Sequence, residues 1–266
     1  SFYFLLIIFS PLRSDNHYTI DHLEPPFWWT GMSTDKLQLM VHGSDISELK
    51  PSISYPGISI HAIHQTSNSN YLFIDLIIDN DTKAGDFTIG FSKNEEVIIN
   101  HPYSLLERSP NSKMRNSFSS ADVIYLITPD RFANGNLKND SVQNLKEVSN
   151  RHNKHGRHGG DIAGIIDNLD YISEMGFTQI WLNPLLENNQ DSYSYHGYST
   201  TDYYNIDSRL GTNQLYKELS HLAGQKGIGI IKDIILNHIG SGHWWMRDLP
   251  SEDWINNSGK FKISSH

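Results

Sequence analysis

Three stretches hold side chains whose types and spacing could do chemistry. "NGNLKND", followed further on by "GGD", sets out Asn134, Asn136, Asn139, Asp140, the Gly159 carbonyl and Asp161. All are hard oxygen donors of the kind Ca²⁺ gathers in a shell of six to eight ligands at about 2.4 Å, where Mg²⁺ would demand a stricter octahedron. The same residues also read as an Asn/Gly-rich turn with Asp161 as a helix N-cap, a role compatible with binding metal. "YHGY" brings together Tyr195, His196 and Tyr198. By themselves these read as ordinary loop aromatics, although flat rings beside an imidazole are also of a type that can contact a sugar ring. "DIILNH" embeds Asp233 in an apolar run and ends it on Asn237 and His238, polar groups that a sheet interior excludes unless they are satisfied or sit at a strand's end.

Other chemistries are disfavoured. His152, His155 and His158 recur every third residue, but a loop with neither helical frame nor cysteine fixes no tetrahedral zinc geometry, so a solvated basic loop is the better reading. There is no cysteine, which excludes disulfides, thiolate metal sites and thiol nucleophiles. With 21 basic against 30 acidic residues the net charge is -9, and a polyanion such as nucleic acid is repelled on average. The apolar run from Phe2 to Phe9 is too short to span a bilayer and looks like the h-region of a secretory signal, although it lacks an initiating Met, a basic n-region and a cleavage motif. No later segment reads as a membrane span, and a periplasmic or secreted location is expected.

Elements must hold these stretches in place. From about Tyr18 to Leu106, "LQLMVHG", "GISIHAI", "NYLFIDLIIDN" and "FTIGFS" are short β-branched runs separated by turn formers, the pattern of a small antiparallel β-sandwich. The polar stretch 107–120 suits a linker. From Ala121 the pattern becomes strand, helix, strand, helix, strand. "DVIYLITPDRF", "FTQIWLNP" and "IGIIKDIILNH" are the strands. One helix carries Ile162, Ile165, Ile166, Leu169, Ile172 and Met175 on one face and stops at Gly176, and a second carries Leu215, Leu219, Leu222 and Ala223. Apolar strands alternating with amphipathic helices imply a parallel sheet, whose ligands gather at the strands' carboxyl ends. That places Asn237 and His238 at such an end. Trp181, Trp244 and Trp245 could stack on sugars, though core packing suits each better, and Phe27, Trp28 and Trp29 read as sandwich packing.

Taken in order, these stretches resemble the α-amylase superfamily of glycoside hydrolases. "DIILNH" resembles its D-x-x-x-N-H signature after the third barrel strand, "YSYHGYSTTDYYNIDSRLGT" the segment after the second, and "YLITPDRFANGNLKND…HGGD" the first strand with its calcium loop. "PPFWWTGMSTDKLQLMVHG" is similar to the sandwich module of the cyclomaltodextrinase and neopullulanase branch. The resemblance implies an immunoglobulin-like β-sandwich followed by about three βα repeats of a (β/α)8 barrel, a truncated barrel whose open edge invites aggregation. The expected divisions are a signal remnant at 1–16, the sandwich at 17–106, a linker at 107–120 and the incomplete barrel at 121–266.

The resemblance also implies roles. Tyr198 would be the stacking platform beside the scissile bond with His196 next to it, His238 would donate to a glucose hydroxyl, and Asp233 would support the site from below through buried hydrogen bonds. Asp233 also reads as a carboxylate with a role only in folding. Calcium would sit on Asn134, Asn136, Asn139, Asp140, Gly159 and Asp161, with Asn134 where relatives often carry Asp. The implied activity is retaining cleavage of α-1,4-glucosidic bonds in starch-derived oligosaccharides, cyclodextrins or pullulan. Such chemistry needs two carboxyl groups about 5 Å apart. The family's nucleophilic Asp and acid Glu follow its fourth and fifth strands, and neither signature occurs in this sequence, so no catalytic residue is named. Asp202, Asp207 and Asp233 do not fill the gap. A non-catalytic secreted glucan-binding or calcium-binding module is the competing reading. The resembling branch includes homodimers, and no residue pattern decides oligomeric state here.

Overall fold

The computed structural model describes residues 18–114, 117–260 and 262–263. The apolar run read as a signal lies outside the described residues. The chain forms two compact units, one comprising residues through Met114 together with those from Leu249 onward, the other Arg115–Asp248. No helix among the described residues is long and apolar enough to cross a membrane.

The first unit is the sandwich. Its strands are β1 (His22–Glu24), β2 (Phe27–Trp29), β3 (Lys36–His42), β4 (Lys50–Ile53), β5 (Ile58–Gln65), β6 (Tyr71–Ile78), β7 (Gly85–Lys93) and β8 (Glu96–Leu106). They make two four-stranded sheets, ordered β1-β3-β6-β5 and β2-β8-β7-β4. Period-two alternation turns Leu37, Leu39 and Val41 of β3 and Leu72, Ile74, Leu76 and Ile78 of β6 toward Phe87, Ile89, Phe91, Tyr103 and Leu105 of the other sheet, and these form one core. The four apolar runs read from the sequence are β3, β5, β6 and β7. The antiparallel expectation needs one correction, because β2 pairs with β8 in parallel. β8 escapes a pattern reading because Asn100, His101 and Pro102 interrupt it. Its ladder with β2 covers only Ser104–Leu106, so at Pro102 one flank is a sheet edge, where a missing N–H is tolerated. Leu249 and Trp254 belong to this unit: the Asn68 side-chain amide donates to the Leu249 carbonyl at 2.8 Å and the Trp254 ring lies 6.1 Å from that of Phe73.

The second unit holds β9 (Ile124–Ile127), α1 (Pro129–Phe132), α2 (Ile162–Asp167), α3 (Leu169–Glu174), β10 (Gln179–Leu182), β11 (Leu186–Glu187), β12 (Asp202–Ile206), α4 (Asn213–Gln225) and β13 (Gly229–Lys232). β13, β10 and β9 form a parallel sheet in that order. Ile127, Ile180 and Leu182 point to the face covered by Ile162, Ile165, Leu169, Ile172, Leu219 and Ala223. The opposite face carries Leu126, 53% exposed, and Trp181, 39% exposed.

Two sequence expectations need correction here. The single helix over 162–175 is two, α2 and α3, separated at Asn168, whose φ of -110° and ψ of 14° leave the helical region. Its side-chain amide donates to the Gly164 carbonyl at 2.7 Å, the local competition with the backbone that Asn is prone to. Met175, expected on the buried stripe, is 58% exposed. The strand expected to run to His238 stops at Lys232. Beyond it Leu236 is 81% exposed, and the Tyr203 hydroxyl holds the loop by donating to the Ile235 and His238 carbonyls, 2.9 and 3.0 Å away. His238 therefore sits in a loop pinned beside the strand end.

Candidate functional site

At the carboxyl ends of the parallel strands, Asp233 follows directly on β13, and Trp181 of β10 is in register with Ile231. Asp233 Oδ2 accepts the Trp181 indole N–H at 3.2 Å and the Tyr198 hydroxyl at 2.9 Å. The carboxylate is thus satisfied by two aromatic side chains. Asp233 itself is partly buried, so the hydrogen bonds expected to be buried lie at a half-open position. Burial, reinforced by the bond to Asp233, pushes the Tyr198 phenol above its usual pKa, so it stays a donor. Trp181, read from sequence as core, is a member of this cluster. The available signal was its place between Ile180 and Leu182, which face the helices and turn it to the other face, and its N–H needs a partner there.

His196 and Tyr198 come from the turn Ser194–His196 and the residues just after it. Gly197, at φ 83°, allows that turn, and a Cβ there would stand 2.1 Å from the Pro184 carbonyl oxygen. His196 Nδ1 accepts the Tyr198 backbone N–H at 3.0 Å, so in the neutral ring the proton is on Nε2. Burial lowers the His196 pKa, against an opposing pull from Glu147, and favours that neutral form. Its ring centroid is 5.7 Å from that of Tyr198 and 5.4 Å from that of Tyr195, and the Arg131 guanidinium lies 4.0 Å over the Tyr195 ring. His238 Nε2 donates to the Tyr198 carbonyl at 2.8 Å, which leaves Nδ1 as its acceptor. Tyr198, His196, His238, Asp233 and Trp181 are therefore linked, while Asn237 is exposed.

Asp207 and Asp202 do structural work. Asp207 is buried and takes the Arg209 fork at 2.9 and 2.7 Å. Burial alone would raise its pKa, but Arg209 and Arg157 outweigh it and hold the carboxyl below the usual range. Asp202 caps its own strand's turn through the Tyr204 and Asn205 N–H groups.

The oxygen-rich loop between α1 and α2 has a distinct geometry. Asp161 is the N-cap of α2 and spends both oxygens on four donors: Gly135 N and Gly164 N at 3.0 and 2.7 Å, Asn136 N and the Asn139 amide at 3.0 and 3.2 Å. The Asn134 amide nitrogen donates to Asp140 at 2.7 Å. This leaves Asn134 Oδ1 and Asn139 Oδ1 buried and without a hydrogen-bond partner from the protein, the kind of group that a water or a cation satisfies. Gly159, at φ 88°, closes over them, since a Cβ would meet Asn134 and Asp140 at 2.7 Å. Two orphaned amide oxygens beside a carboxylate are hard donors and fit Ca²⁺. Among the described residues no three His, Asp or Glu side chains form a metal-binding group, so a cation here would rest on amide and carbonyl oxygens around Asp140.

A parallel βα unit with this polar cluster at its strand ends, joined to a β-sandwich, defines the class. The family described as "Alpha amylase, catalytic domain" matches residues 126–260 and "Cyclomaltodextrinase, N-terminal" matches residues 22–109. The chain belongs to the alpha-amylase family. Relatives include a beta/alpha-amylase of Paenibacillus polymyxa, 37% identical over 56% of this chain and 12% of that protein. A cyclomaltodextrinase of Thermoanaerobacter pseudethanolicus is 35% identical over 52% of this chain and 25% of its own length. Neopullulanase 2 of Thermoactinomyces vulgaris is 38% identical over 48% and 21%. The chain thus spans a quarter or less of these relatives. An Anoxybacillus alpha-amylase structure aligns with a TM-score of 0.45 and 42% identity over 50% of this chain and 28% of that one.

Proposed function

We propose that this chain supplies the sandwich and the first sugar-contacting strands of a retaining glycoside hydrolase that cleaves α-1,4-glucosidic bonds in starch-derived oligosaccharides, cyclodextrins or pullulan. The observation that carries the reading is that Trp181 and Tyr198 meet on Asp233, with His238 held on the Tyr198 carbonyl, at the ends of parallel strands. In this reading Tyr198 stacks on a glucosyl face and His196 donates from Nε2 to a hydroxyl, while His238, expected to donate to one, has Nε2 engaged by the Tyr198 carbonyl and would meet sugar through Nδ1. Asp233 orients Tyr198 and takes no part in bond cleavage. The attacking and acid carboxyl groups are not assigned to any residue of this chain.

Calcium belongs to the same proposal. Asn134 and Asn139 would hold it through their amide oxygens with Asp140, and the ion would supply charge to tie the loop between α1 and α2. Maltoheptaose titration read by Trp181 fluorescence tests the sugar site. A whole protein containing this chain should hydrolyse maltoheptaose or β-cyclodextrin with retention at the anomeric carbon, and residues 1–266 alone should bind without turnover. Binding with no hydrolysis by the whole protein would favour the non-catalytic glucan-binding module instead, and turnover by residues 1–266 would show that the carboxylates lie within this chain.

A further inference from the structure

We infer that Arg157 and Glu147 are positioning residues for the segment 193–198, acting through Ser194; that this segment faces glucan rests on the reading above. Ser194 is buried, and each of its polar groups is taken by a side chain from elsewhere. Its N–H donates to Glu147 at 2.7 Å, its hydroxyl accepts from Arg157 Nη1 at 3.2 Å, and its carbonyl accepts from the Asn188 amide at 3.2 Å. Ser194 follows Tyr193, held at φ 60°, a backbone state that a non-glycine residue keeps only when its surroundings over-determine it. His196 and Tyr198 follow within four residues, joined by their own hydrogen bond. Fixing Ser194 therefore fixes where those two rings lie.

The way Arg157 is bonded shows that its purpose is geometric. It is buried, yet its nearest carboxylates, Asp130 and Asp207, are 3.8 and 4.0 Å away, too far for hydrogen bonds. Its Nε and Nη2 are buried without hydrogen-bond partners. Both carboxylates have closer donors. Asp130 takes the His158 and Gly159 N–H groups and Arg131, and Asp207 takes Arg209. Arg157 is thus a buried cation that meets Asp130 and Asp207 by charge at a distance, while its hydrogen bond goes to the hydroxyl at the root of the segment.

The test is amide hydrogen exchange at Ser194 and Tyr198 in the 15N-labelled 266-residue chain, alongside thermal melting and maltoheptaose binding. Arg157→Met should speed Tyr198 exchange about tenfold, the loss of one charge-assisted hydrogen bond, with exchange elsewhere in the unit close to wild type. Ser194→Ala, which leaves Arg157 in place, should do the same and keeps the test decisive where Arg157→Met folds poorly. Glu147→Ala should match them, while Glu147→Gln, which keeps an acceptor for the Ser194 N–H, should fall closer to wild type. Unchanged exchange in Arg157→Met and Ser194→Ala overturns the inference, as does faster exchange across the whole unit with a lowered midpoint in both. Weaker maltoheptaose binding by Arg157→Met supports it further. A wild-type chain that binds no maltoheptaose sinks the glucan reading, and the exchange data still decide on Arg157.

Discussion

At the scale of single residues, Asp233 is the hub of the site because two aromatic donors, one on β10 and one in the loop before β12, reach the same oxygen. Tyr198→Phe removes one of them and should cost about 1 kcal/mol of stability by urea unfolding, less than a buried hydrogen bond to a charged group because the site is partly open to water. Maltoheptaose binding should weaken with it. His196 makes a pH prediction. Burial lowers its pKa in the fold, so the unfolded chain binds the proton more readily. The stability this contributes is fully present above the unfolded value of about 6.5 and is lost as pH falls through the folded value. His101, also lowered by burial, acts in the same direction. His196→Gln should therefore flatten part, not all, of the fall in melting temperature between neutral and mildly acid pH, and an identical slope in the variant would remove His196 from that account. Tyr198, His196, His238 and Asp233 were legible as candidates from their motifs. For Trp181 only the alternation with Ile180 and Leu182 was legible, because an apolar run does not show which face of a sheet is left open.

At the scale of elements, Asp161 joins the oxygen-rich loop to α2. Its carboxylate takes four N–H donors from both sides of the junction. Asp161→Ala should cost about 2 kcal/mol or more, beyond an ordinary cap, since buried donors in the loop lose their acceptor as well. Thermal or urea unfolding measures it. Calcium should raise the melting temperature by mass action and chelator should lower it. Asp140→Asn should diminish the calcium response, whereas an equal response in that variant would place the ion elsewhere. The division of one expected helix into α2 and α3 belongs to this scale too. The spacing of Ile162, Ile165, Leu169 and Ile172 was readable, and all four are buried. The break at Asn168 turned on a side chain choosing the Gly164 carbonyl over solvent, which periodicity does not encode.

At the scale of the whole molecule, the parallel sheet is covered on one face and bare on the other. Ile124, Leu126 and Trp181 are exposed on strands that in a closed barrel would face inward. Such a surface favours self-association, aided by the unpaired ladders along β9 and β13. The chain should bind an apolar dye and scatter light increasingly with concentration. Leu126→Lys should reduce both without lowering the melting midpoint, and undiminished scattering would place the sticky surface elsewhere.

What the sequence determined by itself is whatever depends on near neighbours. Alternating apolar residues built β3, β6 and β7, helical spacing of Leu215, Leu219 and Ala223 built α4, and the ordered run of motifs carried the family. Tertiary structure alone decided who bonds to whom. Asp233 meets Tyr198 across 35 residues and Trp181 across 52, Arg157 reaches Ser194 across 37, and Asn134 and Asn139 are left with bare oxygens by partners elsewhere in the loop. The physical reason is range. A residue's own neighbours set its backbone and the face it presents, whereas a hydrogen bond between distant loops exists only once the packed core has brought those loops together.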